Sequence, residues 1–530
     1  MPLLLDIAPS AEYNPSHKHR RTEAFPTIYA MAKKSLGLLA AYLIALAAAV
    51  VFLYLSALIK NDDVSGNFEK SADQLCEKRV FFYVDDGVEP SKIDRYADSI
   101  LLNIAWNLKP DLTSLMWSSY YYTSTANEND NLYAAVYEKK EPNREYMRYW
   151  HGSAGIVRIL HLIFNIKQIY ILNSVVLLLL AALLGALLIS NKMYADAAAM
   201  LFGLIGVSIW FVPFSLEYTW TFMIMLAAAS LTVYFEKKGV QNILSYLFLL
   251  TGIMTAYLDF LSTETITLTV PLLLLCRIRL RYCSSAAAAK TPDTKKEALQ
   301  ELLKPGILPI LWAIGYVGMW VSKWILTFFV TKENVMSYVS GHVAERLGGE
   351  VNDMPLPKFI SAAALRNLSD LFPWCYKGTG IIAGIVLLIF MLYLGFVYCQ
   401  KNINRKNILI YAAIAILPYL RYMVMHNHSY IHHFFTFRAQ LVTIMAVWLI
   451  LEEITSDTRN ELQKIRKSKG RKKDKGFILR FRRSLRVLLR KDRSHRIPPS
   501  FCLASRNPLP SLTVQDSSFQ RYHDIKVIPL

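Results

Sequence analysis

The chain has few charged residues for its length. Asp, Glu, Lys and Arg make up 19% of its 530 residues, whereas a soluble domain carries about 25%. Hydrophobic residues make up 54%, and they are gathered into runs of roughly twenty residues, the length that spans a bilayer. This composition excludes a soluble enzyme, a disordered protein and a fibrous protein.

Cysteine is scarce and the familiar catalytic signatures are missing. Six cysteines in a chain this long do not make a disulfide framework. The sequence contains no phosphate-binding P-loop, no dinucleotide-binding glycine motif, no serine-hydrolase elbow and no HExxH zinc motif. Chemistry must therefore come from polar residues that are dispersed along the chain.

Basic residues exceed acidic ones. The chain has 59 Lys and Arg against 40 Asp and Glu, a net charge of +19. Such an excess indicates nucleic-acid binding when it lines a soluble face. Here the basic residues sit beside apolar runs, so we interpret them as markers of membrane orientation and expect no nucleic-acid partner.

The apolar runs predict about ten transmembrane helices. We therefore predict an all-α polytopic membrane protein, whose bundle occupies residues 35–451. The first run is too long for a cleaved signal peptide and predicts an uncleaved anchor. The runs cover roughly 35–59, 169–190, 195–213, 217–235, 241–258, 262–277, 306–330, 379–399, 407–420 and 431–451.

Lysine and arginine concentrate in alternate loops between these runs. Because positive loops stay in the cytoplasm, we predict a multi-pass protein of the cell membrane with both termini cytoplasmic. Residues 1–34 would form a short cytoplasmic segment and 452–530 a basic tail that is partly disordered. The outer side would then hold two long loops. Basic residues of the alternate loops include Lys33, Lys34, Lys192, Lys237, Lys238, Arg277, Arg279, Arg281, Lys401, Arg405 and Lys406.

The long outer loops, at 60–168 and 331–378, have lengths that are usually functional. Within the first loop, residues 93–108 and 153–166 have helical periodicity. Each predicts an amphipathic helix at the membrane interface. The alternative is that both helices simply cover the top of the bundle.

Two aspartates open the first of these helices. Asp94 and Asp98 are four residues apart, so a helix would present both carboxylates on one face. Two carboxylates at such a short separation raise the pKa of one of them, and the pair then favours a proton acceptor or a bound cation. We predict that Asp94 and Asp98 are catalytic aspartates. The alternative is that they are solvated loop residues.

A basic and aromatic stretch at 148–152, with the sequence RYWHG, precedes the second helix. Arg148 and His151 could hold a phosphate, because guanidinium offers fixed paired donors. The glycine lies near a helix N-terminus, which favours anions. Tyr149 and Trp150 are also typical interface anchors, which is the structural alternative for that pair.

Four of the 11 histidines fall within 426–433. His428 and His432 would share a face if this stretch is helical. A phosphate site fits these residues, whereas a zinc site has only weak support without cysteine partners. The alternative is a group of hydrogen-bonded interface histidines.

Arg438 lies inside the last predicted span, where a charged side chain requires an anionic partner. Asp259 and Glu264 flank the turn between the fifth and sixth predicted spans. We expect these acids to pair with Arg438 or to line the same cavity, so all three are candidate substrate-binding residues.

The arrangement resembles the GT-C class of integral-membrane glycosyltransferases. In that class a first span is followed by a long extracytoplasmic loop with essential acidic residues and interface helices, and a multi-span bundle follows. The resemblance covers roughly residues 35–451. It rests on IDRYADSILLN at 93–103, RYWHG at 148–152, YLDFLSTETITL at 257–268 and HNHSYIHHFFTFR at 426–438.

The resemblance implies transfer of a sugar from a polyprenyl-phosphate donor to an extracytoplasmic glycan, lipid or protein of the cell envelope. Asp94 or Asp98 would remove the acceptor hydroxyl proton, and cations would stabilise the departing phosphate. Some members use a divalent metal, and the sequence leaves metal use open. The groups around the phosphate would be Arg148, His151, His428, His432 and Arg438.

A transporter or flippase of lipid-linked or small polar substrates is the main alternative. That function predicts charged or broken helices near the middle of the membrane. The sequence instead places its polar clusters at one predicted face, which favours chemistry on a membrane-bound substrate.

Overall fold

The computed structural model describes residues 28–116, 120–287, 306–333, 335–348, 354–372, 380–397 and 405–469. Within these ranges the chain is almost entirely helical, with one two-stranded antiparallel sheet. The bundle belongs to a compact unit that ends at Ile454. The predictions for residues 1–27 and for the tail beyond 469 lie outside the described residues.

Helices alternate along the chain with short connections. The first part comprises α1 (Ile28–Ala57), α2 (Asn61–Cys76), β1 (Phe81–Tyr83), β2 (Lys92–Asp94), α3 (Arg95–Asn107), α4 (Leu112–Met116), α5 (Glu128–Tyr137), α6 (Gly152–Leu160), α7 (Ile166–Ser190), α8 (Tyr194–Gly206), α9 (Thr219–Lys237), α10 (Asn242–Leu258) and α11 (Ile266–Ala287). The second part comprises α12 (Ile307–Thr331), α13 (Val335–Gly348), α14 (Leu356–Ser369), α15 (Gly380–Val397), α16 (Arg405–Ala415), α17 (Leu417–Val424), α18 (His426–Ile431), α19 (His433–Thr436) and α20 (Leu441–Lys469).

Six stretches in the described part of the chain are long and apolar enough to cross a membrane. Two shorter apolar helices, α8 and α10, accompany them. Each predicted apolar run is mainly helical, although the runs at 407–420 and 431–451 are divided among several helices. This confirms an all-α protein with membrane-type helices, while the count of ten spans stays a prediction. The six stretches are Ala32–Ala57, Ile166–Ser190, Thr219–Lys237, Ile307–Thr331, Arg405–Val424 and His433–Thr455.

The segment between α1 and α7 folds into a compact cap of helices and one hairpin. In the hairpin, Phe81 lies opposite Asp94 and Tyr83 lies opposite Lys92. Nearly every residue of α3 is buried, because α2, α5 and α6 pack around it. We expected an amphipathic helix lying at the membrane interface. The burial on all sides agrees instead with the alternative of a helix packed over the bundle.

Arg158 on α6 joins several segments of the cap through hydrogen bonds. Its guanidinium donates to the carbonyls of Ala105 and Trp106 at 2.6 and 3.1 Å, and to Asn61 Oδ1 at 2.7 Å. The carbonyls at the end of a helix have no partners within it, so a buried arginine that satisfies them connects the end of α3 to the start of α2. The second predicted helix is also shorter than expected, since α6 ends at Leu160.

Two membrane-type helices, α10 and α12, approach each other through glycines. A Cβ atom at Gly252 would lie 2.1 Å from the Trp312 carbonyl oxygen, and one at Gly315 would lie 2.2 Å from the Leu249 carbonyl oxygen. Small residues let helix backbones come this close in membranes. This contact fixes the position of α12 beside the cap.

The predicted basic loops meet at one end of the bundle, which we call the basic end (residues 191–196, 236–241, 277–281 and 452–453). Arg277 pairs with Asp196 at 3.5 Å and also with Glu452, and Arg279 pairs with Glu236 at 2.9 Å. The structure thus brings together parts of three predicted basic loops, while 288–305 and 398–404 lie outside the described residues. Their cytoplasmic location stays a prediction.

The other end, which we call the cap end, gathers the remaining connections. It comprises residues 58–116, 120–165, 213–218, 259–265, 354–372 and 421–438. Contacts among these segments bring residues far apart in the chain into one region, and all candidate site residues lie there.

Candidate functional site

Four carboxyl groups from three segments of the chain lie near one another at the cap end. Asp94 and Asp98 belong to the cap, Glu217 to the turn before α9, and Asp259 to the turn after α10. Burial, and then the charges of Asp94, Asp259 and Asp98, raise the pKa of Glu217 well above its ordinary value. The four groups therefore act on each other electrostatically, and they favour bound protons.

Asp94 and Glu217 form a hydrogen-bonded carboxyl pair. Asp94 is the N-cap of α3, because its Oδ1 accepts from the Ala97 N–H at 2.9 Å. It therefore precedes the helix rather than lying on its face beside Asp98. Burial raises the pKa of Asp94 to about 6. Two carboxyl groups in contact share one proton, which makes this pair able to exchange a proton near neutral pH.

Glu217 is the less buried residue of the carboxyl pair, although its Oε2 atom is buried. Its side chain is partly exposed, whereas Asp94 and Asp98 are buried. Its Oε2 atom makes no hydrogen bond with the part of the chain that the structure describes.

Asp98 is fully buried and both its oxygens are occupied. The Tyr170 hydroxyl donates to Oδ2 at 2.5 Å, and the Leu216 N–H donates to Oδ1 at 2.7 Å. Burial raises its pKa to about 8, although the Tyr170 bond lowers it. These contacts connect α3 to α7 and to the turn that carries Glu217, so Asp98 positions the carboxyl pair.

Asp259 is held within the tight turn at 259–265. The Ser262 hydroxyl and N–H both donate to its carboxylate. Burial, and then the charge of Glu264, raise its pKa to about 7. Leu261 in the same turn has a positive φ of 69°, a conformation that costs of order 1–3 kcal/mol and needs surrounding contacts to hold it.

Arg421 supplies those contacts. It pairs with Glu264 at 2.9 Å and donates to the Leu261 carbonyl at 2.8 Å and to Ser429 Oγ at 3.0 Å. Glu264 thus has Arg421 as its partner, rather than the Arg438 that we expected. The bond from Arg421 to Ser429 also joins the 259–265 turn to the histidine stretch.

Arg438 is buried and has carbonyl groups as its hydrogen-bond partners among the described residues. It donates to the Phe434 carbonyl at 2.7 Å and to the Pro90 carbonyl at 2.8 Å. The expected pairing with Asp259 or Glu264 is therefore not what holds it. Because Pro90 lies in the β1–β2 connection, Arg438 joins the Asp94 hairpin to the last membrane-type stretch.

The histidine stretch is helical and lies beside the hairpin. The rings of His428 and His432 are 4.7 Å apart, so they do share a face. His433 Nδ1 is 2.6 Å from Asp370 Oδ2 on the residue after α14. The ammonium group of Lys92, two residues before Asp94, lies 4.4 Å from the Phe434 ring. The acids near position 96 and the histidines therefore occupy the same end of the bundle.

The stretch at 148–152 adjoins the 259–265 turn through aromatic contacts. The His151 ring lies 5.0 Å from that of Phe260, and the Arg148 guanidinium lies 4.5 Å from the Tyr146 ring. A Cβ at Gly152 would lie 2.3 Å from the Tyr257 ring, so only glycine fits here. His151 thus lies beside the 259–265 turn in the fold.

Two relevant residues escaped the sequence analysis. Glu217 is a lone acid in an aromatic turn, and Lys323 is a fully buried lysine within the apolar helix α12, 5.7 Å from the Trp150 ring. An ionisable residue inside a membrane-type helix is a functional candidate by default. That signal was available for Lys323, whereas nothing local distinguishes Glu217.

Metal binding has no assigned ligands. Within the described ranges, no group of three or more His, Cys, Asp or Glu side chains is placed to hold a metal ion. His428 and His432 make a pair without a third ligand of these types in that part of the chain. The metal use implied by the resemblance therefore stays an expectation.

Comparison with known proteins does not identify a relative. No protein-family model matches the chain, and neither a curated protein nor a solved structure does.

Proposed function

We propose that the protein is a membrane glycosyltransferase that moves a sugar from a polyprenyl-phosphate donor to a glycan, lipid or protein acceptor. The observation that supports this function is the Asp94–Glu217 carboxyl pair, which lies at one end of a membrane-type bundle near the ammonium group of Lys92. A proton acceptor next to a cation suits displacement of a phosphate by a hydroxyl group.

In the proposed reaction, the acceptor oxygen forms a bond to the anomeric carbon of the sugar. The bond between that carbon and the donor phosphate breaks, and polyprenyl phosphate leaves with the electron pair. Asp94 takes the hydroxyl proton, while Glu217 keeps the proton that the pair already shares. Asp98 positions the pair, and Asp259 and Glu264 shape the adjoining wall. Arg148 offers positive charge and His151 a ring N–H to the phosphate, while His428 and His432 contact other parts of the substrates. Arg438 holds the hairpin in place.

The test is transfer of radiolabelled sugar from polyprenyl-phosphate donors by the purified protein in lipid nanodiscs. We expect Asp94→Asn and Glu217→Gln each to lower the rate by roughly 100-fold or more, the range for loss of a general base. Asp86→Asn is the matched control, because Asp86 is an exposed residue of the same hairpin. Full activity in both site variants, or no transfer by the wild type from any donor, would reject the proposal.

A transporter or flippase is the second candidate. The buried Lys323 within α12 favours it, since charged residues inside membrane helices mark transport pathways. Movement of a polyprenyl-phosphate sugar across a vesicle membrane without covalent transfer would support this candidate over the first.

A further inference from the structure

Three basic side chains converge where α6 begins. Arg148 and His151 precede the helix, and Lys323 approaches from α12. All three are buried, with exposed fractions of 6%, 1% and 0%. Lys323 lies eight residues before the end of α12 at Thr331, which is about 12 Å along the helix. The charges thus lie within the bundle and not on its surface.

The start of α6 adds backbone donors to this cluster. The helix begins at Gly152 and has nine residues, so its first N–H groups carry a partial positive charge that favours anions. Ser153, in the first turn, is fully buried. Its hydroxyl group has no hydrogen-bond partner among the residues that the structure describes. A buried hydroxyl without a partner is costly, and a bound ligand would satisfy it.

The positive charges of Lys323 and Arg148 disfavour a third positive charge on His151. Burial, and then the positive charges of Lys323 and Arg148, lower the pKa of His151 well below its ordinary value. Rings of Tyr146, Tyr149 and Phe260 surround His151 at 5.0–5.7 Å, and such apolar walls strengthen each charge. An anion among these groups would relieve the repulsion.

Two arginines elsewhere at the cap end hold the fold through their contacts. Arg421 is paired with Glu264, and Arg438 donates to two carbonyl groups. An anion placed there would compete with those contacts. We therefore place the ligand at the start of α6, where the buried Ser153 hydroxyl group has no partner among the described residues.

We infer that the N-terminus of α6, together with Arg148, His151, Ser153 and Lys323, binds a phosphate monoester. The inference rests on the proposed function only in naming that phosphate as the headgroup of the lipid donor and product. It assigns the phosphate to this cluster and leaves His428 and His432 beside the acids, where they would contact other parts of the substrates.

The test is equilibrium binding of a long-chain polyprenyl phosphate to the full chain in phosphatidylcholine nanodiscs. We expect Lys323→Met to raise the dissociation constant at least tenfold, and Lys323→Arg to raise it less. Lys332→Met is the matched control, because Lys332 is exposed just after the same helix, and we expect it to bind as the wild type does. Ser153→Ala, which removes one hydroxyl group, should weaken binding about threefold to tenfold.

Competing ligands identify what the cluster recognises. Unphosphorylated polyprenol should bind much more weakly than the phosphate. Competition by inorganic phosphate supports recognition of phosphate from either source, whereas its failure to compete supports a lipid headgroup. Thermal unfolding of each variant shows whether it has folded. If Lys323→Met has not folded, the affinities of Ser153→Ala and Arg148→Gln test the inference instead.

Two results would overturn the inference. One is wild-type affinity for polyprenyl phosphate in folded Lys323→Met or, if that variant does not fold, in both Ser153→Ala and Arg148→Gln. The other is equal affinity of the wild type for polyprenol and its phosphate. Phosphate binding without sugar transfer in the earlier assay would reject the proposed function and leave this site intact. Sugar transfer by Lys323→Met with the donor KM of the wild type would reject this phosphate site and leave the proposed function intact.

Discussion

Asp94 has two partners of different kinds. It accepts a hydrogen bond from the Ala97 N–H and shares a proton with Glu217. The first contact sets the direction of α3 and the second sets the chemistry, so a conservative change to asparagine would retain much of the cap while removing the base. Asp98 is different, because its oxygens are already occupied by Tyr170 and Leu216.

Activity should depend on pH through the carboxyl pair. The pKa of Asp94 is raised to about 6, so below that pH the pair carries a second proton and cannot accept one. We expect kcat/KM for sugar transfer to rise with pH through about 6 and then level off. In Asp98→Asn the midpoint should stay near 6 even if the rate falls. A profile that is flat between about pH 5 and 7 would contradict this role.

Stability should depend on pH through Asp98. Its pKa is about 8 in the folded protein against an ordinary value of 3.8, so the folded state binds the proton more tightly than the unfolded state does. The free energy of unfolding should therefore fall as pH rises from about 4 to about 8. Asp98→Asn should reduce this slope. Thermal unfolding in detergent across that range measures it, and an unchanged slope in the variant would refute the assignment.

Among the helices, α10 and α12 show why tight packing matters for the site. Their glycine contact holds α12, with Lys323, against the residues that precede α6. The Trp150 indole N–H also donates to the Met319 carbonyl of α12 at 2.7 Å. A shift of α12 would therefore move Lys323 relative to His151.

Gly252→Ala should destabilise the bundle. The added Cβ would lie 2.1 Å from the Trp312 carbonyl oxygen, and because this neighbour is backbone, the helices must separate. Overpacking of this kind costs about 1–3 kcal/mol. Thermal unfolding in detergent measures the loss. Gly185→Ala on α7 is the matched control, since its Cβ would meet only Met200 at an ordinary 3.7 Å, and we expect its midpoint to equal or exceed that of the wild type.

At the scale of the whole molecule, the two ends of the bundle hold different groups of side chains. The basic end has ion pairs that join α8, α9, α11 and α20. The cap end holds the carboxyl pair, the histidine stretch and the cluster at the start of α6. This separation suits a bundle whose chemistry occurs at one membrane surface while the other end is closed by ion pairs.

Orientation can be tested by cysteine labelling. After replacement of the six native cysteines, we expect Asp86→Cys, on the exposed hairpin of the cap end, to react with a membrane-impermeant maleimide in intact cells. Lys238→Cys, at the basic end, should react only after permeabilisation, because basic loops stay in the cytoplasm. Both positions are exposed, so both should react in permeabilised cells. The reverse pattern in intact cells would show that the orientation is wrong.

The sequence by itself determined the helical membrane class, the positions of the apolar helices and the grouping of basic loops, because hydropathy and charge act locally along the chain. It also indicated Asp94, Arg148 and His428 as candidates. Only the tertiary structure decided that Asp94 is paired with Glu217, that Glu264 belongs to Arg421, and that Lys323 lies beside His151. These partners come from separate segments, and their contacts depend on how the helices pack, which no local pattern encodes.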